Sequence, residues 1–280
     1  ALRAARVDTA RRGEREGGGS MTAHLIGCTG IPGTGKSYFA RSARALGKTA
    51  IALCDPKEAS FYGDEGVTVF ADLDWRPHLS QYNATALTAL YAWLDARGKD
   101  DTKFIVIDPF SEVSDLVMHD VLKVHSTNDP GDVSHGRAYT AHDQAIKALI
   151  TEMRRLVAAG KTVICTFHGH MRELEGAGAP RRAQSFGDKN KQVWQFEDQM
   201  LPAMNTAIRQ RVHSPFDLWL YTVPEGFGPG RKYYVTAIAD SVRPAKHSVT
   251  FKAGTNPARI ENTMQALFGA LAEPTPESKP

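Results

Sequence analysis

The chain has 280 residues, of which 42% are hydrophobic, a share that is ordinary for a globular protein with a sizeable core. Its formal net charge of +3 is too small to indicate nucleic-acid binding by the chain as a whole, so any basic surface must be local. No apolar run approaches the roughly 20 residues that a membrane helix needs, and the Arg-rich start lacks the apolar region of a signal peptide. These features argue against a membrane protein.

Both ends of the chain have the composition of disordered segments. Residues 1–20 hold five arginines and a Gly-Gly-Gly-Ser run with almost no large apolar residue, and residues 273–280 form a polar, proline-containing tail. We expect Met21 to be the natural start and the residues before it to be an extension. The alternative is a basic arm that touches nucleic acid.

The three cysteines indicate a reducing compartment. Cys28, Cys54 and Cys165 lie far apart in apolar, strand-like segments, and no C-x-x-C pair exists. This spacing predicts buried thiols in a cytoplasmic protein and argues against a thiolate zinc site.

Residues 30–37 carry the strongest motif in the chain. The sequence Gly-Ile-Pro-Gly-Thr-Gly-Lys-Ser fits the phosphate-binding pattern G-x-x-x-x-G-K-[ST] at every fixed position. Glycines let backbone N–H groups close around phosphate oxygens; Lys36 is expected to reach the β- and γ-phosphates, and the Ser37 hydroxyl to hold Mg²⁺. A strand at residues 24–28 and a helix at residues 38–46 supply the strand–loop–helix context that the motif needs. The residues expected to contact nucleotide here are Gly30, Ile31, Pro32, Gly33, Thr34, Gly35, Lys36, Ser37 and Tyr38.

An acid at the end of a buried strand follows further along the chain. Residues 48–54 predict a second strand, and a helix capped by Asn83 and ended by Gly98 comes next. Residues 103–108 then place four apolar residues before Asp108, which is typical of a parallel strand that delivers a carboxylate to its C-terminal edge. We expect Asp108 to act with Ser37 on Mg²⁺. The alternative is an ordinary strand that ends in an Asp-Pro turn.

A histidine follows the next predicted strand. A polar loop at residues 126–137 precedes a helix that we expect to begin at a capping box of Thr140 and Asp143 and to stop at Gly160. Residues 161–167 predict a buried strand, and His168 stands at its C-terminal end, where ligands bind in open α/β sheets. His168 is therefore a candidate γ-phosphate sensor, and the alternative is a structural histidine. A metal site with His170 is disfavoured, because two imidazoles alone make a poor site.

The last third of the chain mixes an irregular basic segment with β-forming and helical patterns. Residues 169–193 predict an irregular segment in which cations outnumber acids, and residues 199–212 predict a helix. Residues 216–223 and 232–239 predict an antiparallel hairpin. Asn256 and Pro257 predict the start of a terminal helix over residues 256–272. We favour docking of its apolar stripe on the core over an oligomer contact.

Together these motifs resemble the RecA-like branch of phosphate-loop ATPases, and among them the phage-encoded nucleotide-binding proteins that act as single-strand annealing ATPases. The resemblance covers about residues 25–246. It implies an α/β fold of the RecA-like P-loop NTPase type, with a mainly parallel sheet flanked by helices and a C-terminal antiparallel hairpin. We expect this domain to span residues 21–255, followed by the terminal helix at 256–272 and the disordered tail.

The same resemblance implies an activity and its partners. It implies hydrolysis of ATP with Mg²⁺, coupled to DNA recombination, repair or annealing in the cytoplasm of a bacterium or a phage-infected cell. The partners it implies are single-stranded DNA and further copies of the chain in a ring or filament. The cations of residues 169–196 and the aromatic residues among them predict that this segment contacts the DNA, and the alternative is a connector whose Trp194 and Phe196 anchor the next helix. It places a general base after the second strand, where Glu58 matches loosely and Glu112 is the second candidate. Arg243 and Lys246 resemble the basic pair that reaches a neighbour's γ-phosphate, with a structural salt bridge as the alternative.

Two other functions fit the same loop. A small-molecule or nucleoside kinase would close an Arg-rich lid over the phosphates, and residues 172–182 could form that lid. A DNA-binding module that uses nucleotide only to set its assembly state would bind it without turnover.

Overall fold

The computed structural model describes a central sheet and helices that pack on it. The described residues are 21–55, 65–70, 85–173, 181–185, 192–196, 198–202, 204, 212–226, 230–239, 243 and 245–272. At 85–86 and in the described parts of 170–202, the backbone alone is described. The predictions for residues 1–20 and 273–280, for the Asn83 cap and for Glu58 fall outside these ranges.

A mainly parallel sheet forms the centre of the fold. The strands of the described residues are β1 (Leu25–Gly30), β2 (Thr49–Leu53), β3 (Val67–Val69), β4 (Phe104–Asp108), β5 (Thr162–Glu173), β6 (Arg181–Ser185), β7 (Gln192–Phe196), β8 (Asp198–Pro202), β9 (Leu218–Glu225), β10 (Lys232–Thr236), β11 (Lys246–His247) and β12 (Ile260–Glu261). The central sheet has the order β3-β2-β4-β5-β1-β9-β10-β12, and every neighbouring pair from β3 to β9 is parallel, whereas β6 and β7 form a separate two-stranded sheet. The expected strands at the phosphate motif, at Asp108 and at His168 are confirmed.

Helices cover both faces of this sheet, as expected for a parallel sheet whose strands are apolar throughout. They are α1 (Lys36–Arg41), α2 (Thr85–Lys99), α3 (Phe110–Val124), α4 (Arg137–Ala158) and α5 (Met264–Ala270). Side chains of α2, α3 and α4 share one buried cluster with Leu25 of β1, whereas α1 and α5 share a second cluster with Ile26 and Cys28. Alternate residues of β1 thus face opposite layers. None of the helices in the described ranges is long and apolar enough to cross a membrane.

The predicted hairpin is present at one side of the sheet. β9 and β10 pair antiparallel, with Glu225 opposite Lys232 at the turn end and Tyr221 opposite Thr236. β9 also pairs parallel with β1, so the hairpin extends the parallel sheet directly. The fold class predicted from the sequence is therefore confirmed.

Two helices differ from the sequence-based expectation. α3 begins directly after Pro109, although no helix was predicted there; Phe110, Val113 and Val117 have helical spacing, so the signal was present in the sequence. α4 begins at Arg137 rather than at the Thr140 capping box. Gly136 precedes it in the left-handed region (φ 66°), and the Thr140 hydroxyl donates back to the Gly136 carbonyl instead of capping the helix.

The irregular structure predicted for residues 169–193 is wrong at residues 169–173, 181–185 and 192–193, which lie in strands, and the helix predicted for residues 199–212 is wrong at residues 199–202. β5 continues past His168 to Glu173 and pairs antiparallel with β8, while β6 pairs antiparallel with β7. A strand's stability depends on the partner it finds, and these partners lie up to about 30 residues away, beyond the reach of local patterns.

The terminal helix is shorter than predicted. Asn256 accepts a hydrogen bond from the Ala258 N–H (3.1 Å) in a turn, and Ile260 pairs with Val235 in the sheet. The helix α5 starts only at Met264, where the Thr263 hydroxyl accepts from the Ala266 N–H (3.2 Å). Its apolar stripe docks on the core, as expected.

Candidate nucleotide-binding site

The phosphate loop connects β1 to α1 at the C-terminal edge of the sheet. β1 ends at Gly30 and α1 begins at Lys36, so the motif has the strand–loop–helix context that it needs. Gly33 (φ 75°) and Gly35 (φ 87°) adopt left-handed backbone conformations, which other residues rarely tolerate. The spacing of the glycines therefore matches the path that the backbone takes.

Side chains from segments distant in sequence contact the phosphate loop. The Thr34 hydroxyl donates to the Ile31 carbonyl (2.8 Å) and lies 2.6 Å from the Thr222 hydroxyl of β9. A side chain at Gly30 would collide with the Thr222 hydroxyl, and one at Gly35 would lie 2.6 Å from Nδ2 of Asn262. Packing thus requires a glycine at position 30, whereas packing and the left-handed conformation together require one at position 35.

Lys36 lies buried within this loop. Its side chain is only 6% exposed, and Nζ donates to the Ile31 carbonyl at 3.0 Å. Its positive charge acts on the Cys28 thiol and on the Asp108 carboxyl, which places all three groups near one another. Burial nevertheless raises the pKa of Cys28 to about 12, so the thiol stays protonated and unreactive at neutral pH.

Ser37 and Asp108 meet at the same edge of the sheet. Asp108 is 3% exposed and accepts hydrogen bonds from the Ser37 hydroxyl and from the Thr166 hydroxyl. Burial raises the pKa of this carboxyl, while those two hydrogen bonds and the charges of Lys36 and His168 oppose the rise. A hydroxyl and a carboxylate side by side fit Mg²⁺, which prefers oxygen ligands and completes its shell with water and phosphate oxygens.

A histidine and two carboxylates form a group beside Asp108. Gly30 and His168 are register partners in β1 and β5, so His168 lies level with the start of the phosphate loop. Its Nε2 is 3.8 Å from Oδ2 of Asp55 and 4.0 Å from Oε1 of Glu112, and the Ser111 hydroxyl accepts from its backbone N–H (3.3 Å). Asp55 follows β2, and Glu112 lies in the first turn of α3. This arrangement can orient a water molecule and accept its proton.

The remaining predicted residues fall in different places. Tyr38 is 63% exposed at the start of α1, and Ile31 is 41% exposed in the loop. Lys246 pairs with Trp219 at the beginning of β9 and donates to the Ser214 carbonyl, whereas the phosphate loop contacts Thr222 further along the same strand. The structure therefore does not bring Lys246 to the loop of its own chain. Arg243 is half-buried close by in sequence.

Residues 24–249 match the model of a family described as an AAA domain. The chain belongs to this AAA-domain family. This AAA-domain protein is accordingly a phosphate-loop ATPase by family, and the match includes the loop, Asp108 and His168.

Solved structures add distant similarities to the AAA-domain protein. The flagellar accessory protein FlaH from Methanocaldococcus jannaschii is 12% identical, with 88% of this chain and 92% of that chain covered and a TM-score of 0.38. The KaiC-like protein PH0186 from Pyrococcus horikoshii OT3 is 15% identical, with 82% and 86% covered and a TM-score of 0.38. Both scores are low, so the fold assignment rests on the strand order. No curated protein matches the sequence.

Several residues that the AAA-domain protein places at this site were not predicted from its sequence. Asp55 stands directly after the second predicted strand, so its position was a readable signal. Thr166, Thr222 and Asn262 carry no such signal, because each reaches the site from a strand or segment far away in sequence.

Proposed function

We propose that this protein hydrolyses ATP with Mg²⁺ and couples the hydrolysis to DNA recombination, repair or single-strand annealing. The observation that supports it best is the convergence of Lys36, Ser37 and Asp108 at one edge of the sheet. In the proposed reaction, Lys36 stabilises the charge that develops between the β- and γ-phosphates, and Ser37 and Asp108 hold the metal. Bound Mg²⁺ would neutralise charge on the phosphate oxygens.

The group around His168 would act on the attacking water in this reaction. The water needs an acceptor for its proton and a position in line with the γ-phosphate. His168 lies level with the loop, and the carboxylates of Asp55 and Glu112 flank it. We assign Asp55 as the base, because it is the less exposed carboxylate (16% against 39%) and lies closer to the histidine.

One comparison tests the proposed function. Purified protein with MgATP is assayed for phosphate release with and without single-stranded DNA, and for phosphate transfer to an added nucleoside. Phosphate release stimulated by DNA supports the proposal. Transfer to the nucleoside would make the protein a kinase, and tight binding without turnover would make it a nucleotide-regulated binding module.

Replacing Asp108 with asparagine should raise the Mg²⁺ concentration needed for activity by about 10-fold or more. Asparagine keeps the size of the side chain and an oxygen for the Thr166 hydroxyl, but it removes the charge that attracts the cation. The measurement is a Mg²⁺ titration of phosphate release at fixed ATP. Asp143→Asn, in a surface ion pair with Lys147 on α4, is the matched control. An Mg²⁺ titration identical to that of the wild type would assign Asp108 another role.

We further propose that residues 169–196 contact single-stranded DNA. β5 is one strand that runs through His168 into this segment. His168 pairs with Gly30 of β1, and the next residue, Gly169, pairs with Pro202 of β8. In the hairpin of β6 and β7, Arg181 is opposite Phe196, and Ala183 is opposite Trp194. Residues 181, 194 and 196 therefore share one face by register. Cations that track phosphates and aromatic rings that stack on bases are the usual means of binding single strands.

The DNA proposal predicts a specific change in salt dependence. Replacing Arg181, Arg182, Lys189 and Lys191 with alanine should weaken single-strand binding and flatten its dependence on salt, by roughly 0.7 in log–log slope per lost phosphate contact. Nucleotide affinity should not change. The matched control removes four exposed cations elsewhere, at Lys99, Lys123, Lys147 and Lys252. Wild-type DNA affinity across the salt series would contradict the proposal and favour the kinase lid.

Assembly into a ring or filament is the last part of the proposal. Lys246 lies beside the start of β9, whereas the phosphate loop of the same chain contacts that strand further along. Lys246 would therefore act on a γ-phosphate bound by a neighbouring subunit. Head-to-tail contacts of that kind build rings or filaments.

A further inference from the structure

A C-terminal segment outside the family match packs against the phosphate loop. The match ends at residue 249, and the C-terminal segment is defined here as residues 250–272. Asn262 Nδ2 donates to the Gly35 carbonyl (3.0 Å), and the Met264 N–H donates to the Ser42 hydroxyl (2.7 Å). Met264 and Leu267 are fully buried in the same cluster as Phe39 of α1. The C-terminal segment therefore packs directly against the phosphate loop and α1.

The contact with Gly35 constrains a peptide group that the site would use. The Gly35 carbonyl and the Lys36 N–H belong to one planar, trans peptide unit, so they point in opposite directions. Holding the carbonyl thereby sets the direction of the Lys36 N–H. The Gly35 carbonyl also accepts from the Phe39 N–H (2.9 Å), and a peptide whose carbonyl accepts two hydrogen bonds is a stronger donor at its N–H.

Stability alone does not account for an asparagine at this position. Asn262 is 3% exposed, and its Oδ1 has no hydrogen-bond partner among the described residues. A buried amide oxygen without a partner is destabilising, and an apolar side chain of the same size would avoid that penalty. The fit with Gly35 is also close, because a side chain at Gly35 would lie 2.6 Å from Nδ2.

We propose that Asn262 is a positioning residue that orients the Gly35–Lys36 peptide for phosphate binding, so that this one residue of the C-terminal segment contributes to the nucleotide site. This inference rests on the proposed function, because it needs a nucleotide in the loop. The hydrogen bond is made equally in the ground state and the transition state, so its loss should raise KM and leave kcat nearly unchanged.

The test uses the full chain with Asn262 replaced by leucine. We expect Asn262→Leu to weaken ADP binding and to raise KM for ATP on the order of 10-fold, with an unchanged or higher melting temperature. Thr263→Ala is the matched control, because it removes the cap of α5 and should lower the melting temperature without changing ADP affinity. If the leucine variant does not fold, Asn262→Ala replaces it, because alanine removes the amide without adding bulk. The same increase in KM for ATP and the same loss of ADP affinity are then expected.

Three outcomes would overturn the inference, and they can be told apart. In the first case, the wild type binds ADP and Lys36→Ala abolishes this binding, but an Asn262 variant keeps the wild-type affinity for ADP. That result overturns the inference about Asn262 and leaves the proposed function standing. An effect on kcat with an unchanged KM would do the same. A wild-type protein that binds no nucleotide would overturn the proposed function together with it.

Discussion

Lys36→Ala should lower the turnover of ATP by about 10²–10³-fold, the usual loss when one preorganised group that stabilises transition-state charge is removed. The ammonium is buried at 6% exposure and within reach of the loop, where it bonds to the Ile31 carbonyl. A charge held in a site shielded from water acts more strongly on a phosphate than an exposed charge does. Phosphate release under saturating MgATP measures the effect.

The controls for this prediction separate charge from packing. Lys36→Met keeps most of the side-chain volume, so a comparable loss in both variants would identify the charge as the cause. Lys48→Ala removes an exposed lysine that pairs with Asp101 on the surface, and it should leave turnover unchanged. Full turnover in the two Lys36 variants would show that the loop is not the catalytic site.

Asp55→Asn should lower kcat by about 10²–10⁴-fold, the range for loss of a general base, with little change in nucleotide affinity. The carboxylate lies 3.8 Å from His168, and the exchange keeps its shape while removing its basicity. Single-turnover hydrolysis measures the chemical step directly, and binding of ADP measured in parallel shows whether the site remains intact.

Two further variants decide whether this assignment is correct. Glu112→Gln changes the other carboxylate near His168, and Glu58→Gln changes the residue that the family resemblance favours. Both should have much smaller effects than Asp55→Asn. If Glu112→Gln or Glu58→Gln instead loses the larger factor, that residue is the base, and Asp55 only orients His168.

The elements that the sequence predicted well are those encoded in short, continuous stretches. Residues 30–37 form a loop whose conformation depends on its own glycines, two of which have positive φ. Residues 104–108 and 162–167 are mainly apolar runs buried on both faces, and such runs predict buried strands from the sequence alone. The hairpin of β9 and β10 was equally readable from its β-forming residues and the glycines between them.

Errors arose where a partner distant in sequence decides the local structure. Residues 169–173 are polar and glycine-containing, yet they extend β5 because β8 pairs with them. Residues 256–261 have a helix-starting Asn-Pro pair, yet Ile260 joins the sheet opposite Val235. In each case a strand partner outweighs a weak local preference, since propensity is only a minor part of the stability of a strand.

By itself, then, the sequence determined the phosphate loop, the acid Asp108 at the end of a buried strand and the class of fold, because each is carried by contiguous residues. Only the tertiary structure decided which groups surround them. The pairing of Thr166 with Asp108, the approach of Asp55 and Glu112 to His168, and the bond from Asn262 to Gly35 span between about 55 and 230 positions. Such contacts follow from strand order and register, which depend on the packing of the whole chain rather than on any local pattern.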